Sequence, residues 1–272
     1  KLSMRKKALN TLFLSISGLF FFSCSEFQKV QKSEQLSVRY DAAIKYFENG
    51  DYTKAGILLE ELIPIIRGKK EAEKTQFYYA YCHYHQRQLV LAAYYFKNFY
   101  ETYPRSEYVE ESMYMHMLSL YESSPKYNLD QTDSYKALEV IQLFVNKYPN
   151  SKYVDECNDI VDRLRAKLER KAYDQAKLYY NLRYHKSAVI AFSNFKKDFP
   201  NSKYNEELAY LKIDAQYNLA KISVEKKKKE RLYKTIQYYE NFIDLYSDSR
   251  YVKSAENIYD SCINLIGNVK NT

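Results

Sequence analysis

Apolar residues recur along this chain at helical spacing, and the recurrence itself repeats. Phe99, Phe96 and Ala92 precede Tyr103 by four, seven and eleven residues, and Phe144, Ile141 and Ala137 precede Tyr148 at the same offsets. The same spacing places Phe195, Phe192 and Ala188 before Phe199, and Phe242, Tyr239 and Thr235 before Tyr246, while Ala55, Leu59, Leu62 and Ile66 form a fifth copy. Such a stripe is the buried face of a helix. Four copies run into a related string: "YPRSEYVEE", "YPNSKYVDE", "FPNSKYNEE" and "YSDSRYVKS". Pro104, Pro149 and Pro200 cannot continue the helix before them. Ser106, Ser151, Ser202 and Ser249 are predicted to cap the next one. No capping-box acid follows, since Val109, Val154, Asn205 or Val252 stands at that position. Each string therefore reads as a helix–helix joint. Successive anchors, Ala55 to Thr235, lie 37, 45, 51 and 47 residues apart. Two helices per unit at such periods predict an all-α solenoid with units at 37–68, 72–105, 106–150, 151–201 and 202–248 and a closing helix at 249–266.

Composition agrees. Five Gly and five Pro are too few for the turns of a many-stranded sheet, and 46% hydrophobic residues supply a core for one or two domains. The start of the chain differs from the rest. Arg5, Lys6 and Lys7 precede the apolar run "ALNTLFLSISGLFFF", which ends at Ser23–Cys24. This predicts a secretory signal over 1–23, with Met4 as the natural start. The run is too short, and too interrupted by Asn10, Ser15, Ser17 and Gly18, to span a bilayer. The stretch Phe21–Cys24 resembles a bacterial lipobox, although Phe21 replaces the usual Leu. That resemblance implies that Cys24 is lipidated, with 24–36 as a tether. The alternative is an ordinary signal with a Cys at its end. Loss of 1–23 lowers the formal net charge from +8 to +4. This is too mild for a nucleic-acid surface, and the run "KKKKER" at 226–231 reads as a solvated helix connection. Cys82, Cys157 and Cys262 are odd in number and far apart, so they read as small buried hydrophobes rather than a disulfide framework.

Candidate chemistry adds little. No phosphate-cradling Gly loop, HExxH, nucleophile elbow or paired CxxC occurs. "CHYH" puts Cys82 and His85 on one helical face, but His116 and His185 belong to other units, so inter-repeat packing is expected rather than a metal. The pairs Glu60-Glu61, Glu110-Glu111 and Glu206-Glu207 read as solvated helix faces. No enzyme activity, cofactor or metal is expected. The 31 Tyr allow two readings, rigid contacts for a peptide or filling of the core.

Pro lies twelve residues after Ala at 92/104, 137/149 and 188/200, and "YFENGDYTKA" adds a Gly-Asp turn; this resembles the tetratricopeptide repeat. In such solenoids the first helix of each pair lines the concave face, which makes Tyr40, Tyr78, Tyr79, His83 and Tyr114 candidate peptide-binding residues. Three longer stretches are similar to the BamD (YfiO) lipoproteins of the outer-membrane β-barrel assembly machinery. They are "FYYAYCHYHQRQLVLAAYYF", "YVEESMYMHMLSLYESSPKYNLDQTDSYKA" and the long helix "YVDECNDIVDRLRAKLERKAYDQAKLYYNLRYHKSAVIAF". The resemblance implies an outer-membrane lipoprotein facing the periplasm that scaffolds a BamA-like β-barrel insertase and helps capture unfolded outer-membrane proteins. By position it assigns 37–122 to substrate and 151–266 to the insertase, with Arg163, Arg165, Arg170 and Tyr180 as the preferred contact residues. A tetratricopeptide coordinator of division or peptidoglycan is the alternative, disfavoured by the short 25–36 spacer. A SusD-type glycan-capture protein is disfavoured by length, and an intracellular helical adaptor would require the lipobox to be accidental.

Overall fold

A computed structural model describes residues 26–269, and every regular element among them is an α-helix. The signal segment 1–23 and Cys24 lie outside the described residues. A short helix at 26–31 (α1) precedes α2 (Leu36–Glu48), α3 (Tyr52–Leu62), α4 (Ala72–His85), α5 (Leu89–Thr102), α6 (Val109–Ser123) and α7 (Thr132–Lys147). Then follow α8 (Val154–Asn181), α9 (His185–Asp198), α10 (Asn205–Lys221), α11 (Glu225–Leu245) and α12 (Val252–Val269). The chain divides into two compact units, one of 26–125 with 130–164, the other of 126–129 with 165–269. Within each unit the helices pack largely in chain order, as in an α-solenoid of tetratricopeptide-like repeats.

The register explains the cores. Ala55, Ala92, Ala137, Ala188 and Thr235 have no exposed surface, and Phe96, Phe99, Ile141, Phe144, Phe192, Phe195 and Phe242 are at most 2% exposed. The small anchor lets paired helices approach closely, and each buried Phe contributes about 1.5–3 kcal/mol of transfer free energy. Thr235 replaces Ala without an orphaned hydroxyl because its Oγ1 donates to Arg231 O at 2.9 Å. Cys82, Cys157 and Cys262 are free and buried, and burial pushes their thiols up to about 12, 11 and 11.

The four joints have one geometry. Tyr103, Tyr148, Phe199 and Tyr246 end their helices at φ between −120° and −139°, outside the helical region, which the Pro after the first three disfavours. Their carbonyls accept the amides of Ser106, Ser151, Ser202 and Ser249 at 3.0–3.2 Å. Each Ser hydroxyl in turn accepts the amide two residues on, at 3.0–3.3 Å. The expected N-cap needs one correction. The α-helical caps are Tyr108 and Tyr204, without side-chain bonds. The serines cap an extra turn in front of the helix, closed by bonds such as Val109 N to Ser106 O at 3.2 Å.

Three further differences from the sequence reading have physical causes. The stretch taken as one long helix is α8 and α9, broken at Arg183, whose φ of 60° is left-handed. Gly50 (78°) and Arg87 (61°) hold the same place between α2 and α3 and between α4 and α5. Each is flanked by the paired bonds of a Schellman turn, for example Arg183 N to Tyr180 O and Tyr184 N to Tyr179 O, both 2.9 Å. "KKKKER" lies inside α11 rather than in a connection, because helix propensity continues through Lys and Glu. Part of the expected tether is built into the fold. Phe27 meets the Tyr46 ring edge-on at 5.8 Å, and Gln31 Nε2 donates to Glu61 Oε1 at 2.7 Å.

Candidate protein-binding surfaces

Two sets of tyrosine contacts fix which rings are structural. The Tyr two residues after each joint serine stacks on a ring of the first helix of the preceding pair. Tyr108 lies on Phe77 (4.6 Å), Tyr153 on Tyr114 (4.0 Å), Tyr204 on Tyr173 (4.0 Å) and Tyr251 on Tyr210 (4.8 Å). Hydroxyls make the second set. Tyr81 donates to Glu111, Tyr84 to Glu122 at 2.6 Å, Tyr173 to Glu207 at 2.6 Å and Tyr180 to Asp214 at 2.7 Å. The acid pairs read as solvated faces are therefore partly connectors. Glu206 also accepts from Ser249 at 2.6 Å, and Glu61 from Gln31. Burial raises the Glu207 carboxyl, but the Tyr173 and Lys177 bonds outweigh it and leave the group below its ordinary value.

The five candidate peptide-binding residues separate in three directions. Tyr40 and Tyr78 come together on a partly exposed face of α2 and α4. Lys74 Nζ sits 5.1 Å from the Tyr78 ring, and Phe47 stacks on the same ring at 4.1 Å. Burial lowers the Lys74 ammonium, yet the Tyr78, Tyr40 and Tyr108 oxygens outweigh it and hold the amine above its usual range. Tyr79 and His83 turn away onto α5, where Tyr95 meets them at 4.8 Å and 4.9 Å. Tyr114 belongs to the core and is stacked on Tyr153. Tyr79 and Tyr114 are each only 6% exposed. Lys74 and Tyr108 were missed by the sequence reading, although Lys74 lies one helical turn before Tyr78 and Tyr108 follows its joint serine by two.

In α8, Arg163 and Arg165 are exposed, the former beside the Tyr121 hydroxyl. Arg170 is tied internally, to Asp174 at 3.1 Å and over the rings of Tyr127 and Tyr173 at 5.7 Å and 5.5 Å. The half-buried Tyr180 is engaged by Asp214.

Each unit also opens a cleft between the second helices of neighbouring pairs. In the first, α5 and α7 flank about 560 Å³ above α6, with Val90, Tyr94 and Leu143 exposed at its mouth and His116 in its floor. His116 Nδ1 lies 3.1 Å from the Tyr100 hydroxyl, and burial pulls its imidazole down to about 4. In the second, α9 and α11 flank about 260 Å³ above α10. Among the described residues no three His, Cys, Asp or Glu side chains group as metal ligands, and no helix is long and apolar enough to cross a membrane. His85, half of the "CHYH" pair, stacks on Tyr52 at 4.0 Å.

The family model described as YfiO, outer membrane lipoprotein, matches residues 32–232. A putative outer membrane protein assembly factor BamD from Aquifex aeolicus (strain VF5) is 25% identical over 211 residues, covering 75% of this chain and 67% of the relative. An outer membrane protein assembly factor BamD from Pasteurella multocida (strain Pm70) is 22% identical over 224 residues, covering 77% and 84%.

Proposed function

We propose, on the premise that this chain belongs to the YfiO family of outer membrane lipoproteins, that it is a non-enzymatic scaffold of outer-membrane β-barrel assembly. It docks a BamA-like insertase and holds unfolded outer-membrane proteins for it. The observation that carries this reading is the family match over 32–232, which runs from α2 into α11 and so takes in helices of both units. The relatives named as assembly factors BamD support it. In this reading the protein works by presenting preformed helical surfaces to a partner, without covalent chemistry. Substrate segments are assigned to the 37–122 region, where Tyr40, Lys74, Tyr78 and Tyr108 offer hydroxyls, a cation and ring faces together. The insertase is assigned to 151–266, with Arg163 and Arg165 as the exposed charges of α8. Cys24 carries the lipid, and the helices face the periplasm.

The test is affinity capture of the full chain from solubilised envelopes. Recovery of a barrel-forming insertase is expected, and its loss on substituting Arg163 and Arg165 together with Glu would place the contact on α8. Recovery of only division or peptidoglycan proteins would overturn the reading.

A further inference from the structure

The cleft of the second unit contains two polar groups that its own fold leaves unanswered. Its floor position Lys212 and the floor position His116 of the first unit each follow a joint serine by ten residues, so they are counterparts. His116 is neutral and hydrogen-bonded. Lys212 is a half-buried ammonium whose partner is the face of Tyr238, 4.0 Å away. Burial, and then the charge of another cation, Lys234, hold its amine below the usual range. No carboxylate among the described residues pairs with it.

Asn205 is the second group. It lines the same cleft, is only 5% exposed, and stands where the other joints carry Val109, Val154 and Val252. Its Nδ2 donates to the carbonyls of Phe199 and Pro200 at 2.8 Å and 3.0 Å, and those two acceptors fix the amide orientation. Its Oδ1 is buried without a donor. A buried acceptor left unpaired is costly, and so is an ammonium withdrawn from water without an anion. Around them lie Phe192, Leu208 and Phe242, with Leu245 at the rim and 68% exposed. The space is too small for a cofactor-sized ligand and suits a side chain or two.

We propose that this cleft receives a peptide segment of a partner protein, with an apolar side chain inserted between α9 and α11, an adjacent Asp or Glu carboxylate on Lys212, and a backbone N–H donating to Asn205 Oδ1. A carboxylate, an N–H donor and an apolar group at such close spacing is the chemistry of a polypeptide. The proposal names the chemistry of a contact within the docking region assigned above, and so rests on that reading.

The experiment titrates the full chain with a short acetylated and amidated peptide of leucines around one glutamate, with its glutamine counterpart, and with dihexanoyl phosphatidylglycerol. Methyl NMR of Ala209 and Leu245 and calorimetry are the readouts. The glutamate peptide is expected to shift both methyls and to bind about tenfold more tightly than the glutamine peptide. Lys212→Met should bring the two peptides to equal affinity, and Asn205→Val, the residue of the other joints, should weaken both by a similar factor while the thermal midpoint is kept. Equal affinities in the native chain, shifts elsewhere, or response only to the phospholipid would overturn the proposal. Discrimination of the peptides together with failed insertase capture would remove the assembly reading and leave the cleft assignment. Insertase capture without peptide discrimination would do the reverse.

Discussion

His116 is a neutral imidazole held in the floor of the first unit's cleft, and it makes stability depend on pH. Its folded value, about 4, lies below the 6.5 of a free imidazole because burial penalises the charged form. Between those values the unfolded chain binds the extra proton, so this contribution is complete above pH 6.5 and is lost as pH falls toward 4. The span corresponds to roughly 3 kcal/mol. Replacing His116 with Gln should flatten that part of the stability profile, read from urea melts at pH 7, 5.5 and 4. An equal slope in both proteins would mean that other groups carry it. At this scale the candidate site was only half legible. Tyr78 and Tyr79 are adjacent in sequence, but about 100° of helical rotation sends one to a partly open face and the other onto Tyr95. Composition and repeat spacing contain nothing that separates such neighbours, and the same holds for Tyr114, whose burial is decided by Tyr153 from the next pair.

Elements were more legible, because one register repeats five times. Ala at the close approach, Phe on the same face and Pro-x-Ser at the exit are each tied to geometry, and together they located the helices. The turn at Arg183 was not legible, since a left-handed residue is normally announced by Gly and here the string is "NLRYH". Arg183→Gly should remove the left-handed penalty and, after the extra freedom of Gly in the unfolded chain, raise stability by about 0.5–1 kcal/mol. A rise of a few degrees in thermal midpoint is the expected readout. Arg87→Gly should gain less, because Arg87 also pairs with Glu122. Ser151 accepts the Tyr153 amide at 3.2 Å, so Ser151→Ala should cost about 1 kcal/mol. Partner capture should be unchanged by it; selective loss of binding at full stability would make the joint a contact site instead.

For the whole chain, the proposed attachment rests on the family rather than on any described helix. No described helix can cross a membrane, and the family is one of lipoproteins, so attachment should depend on Cys24. Cys24→Ala is expected to move the protein from the membrane to the soluble fraction; unchanged fractionation would sink the lipidation claim. Within the helices, tyrosine hydroxyls bonded to carboxylates link one helix pair to the next, beside the buried Ala and Phe register. Burial, and then Glu111 or Asp214, raise the Tyr81 and Tyr180 phenols above their ordinary 10.0. A raised phenol keeps its proton when folded and releases it when unfolded, so its contribution is whole below pH 10 and disappears as alkalinity increases. These ties therefore set an upper pH edge for the fold. In an ultraviolet titration the tied tyrosines should ionise in a steep step that coincides with loss of the helices by circular dichroism; their ionisation with the helices intact would overturn this.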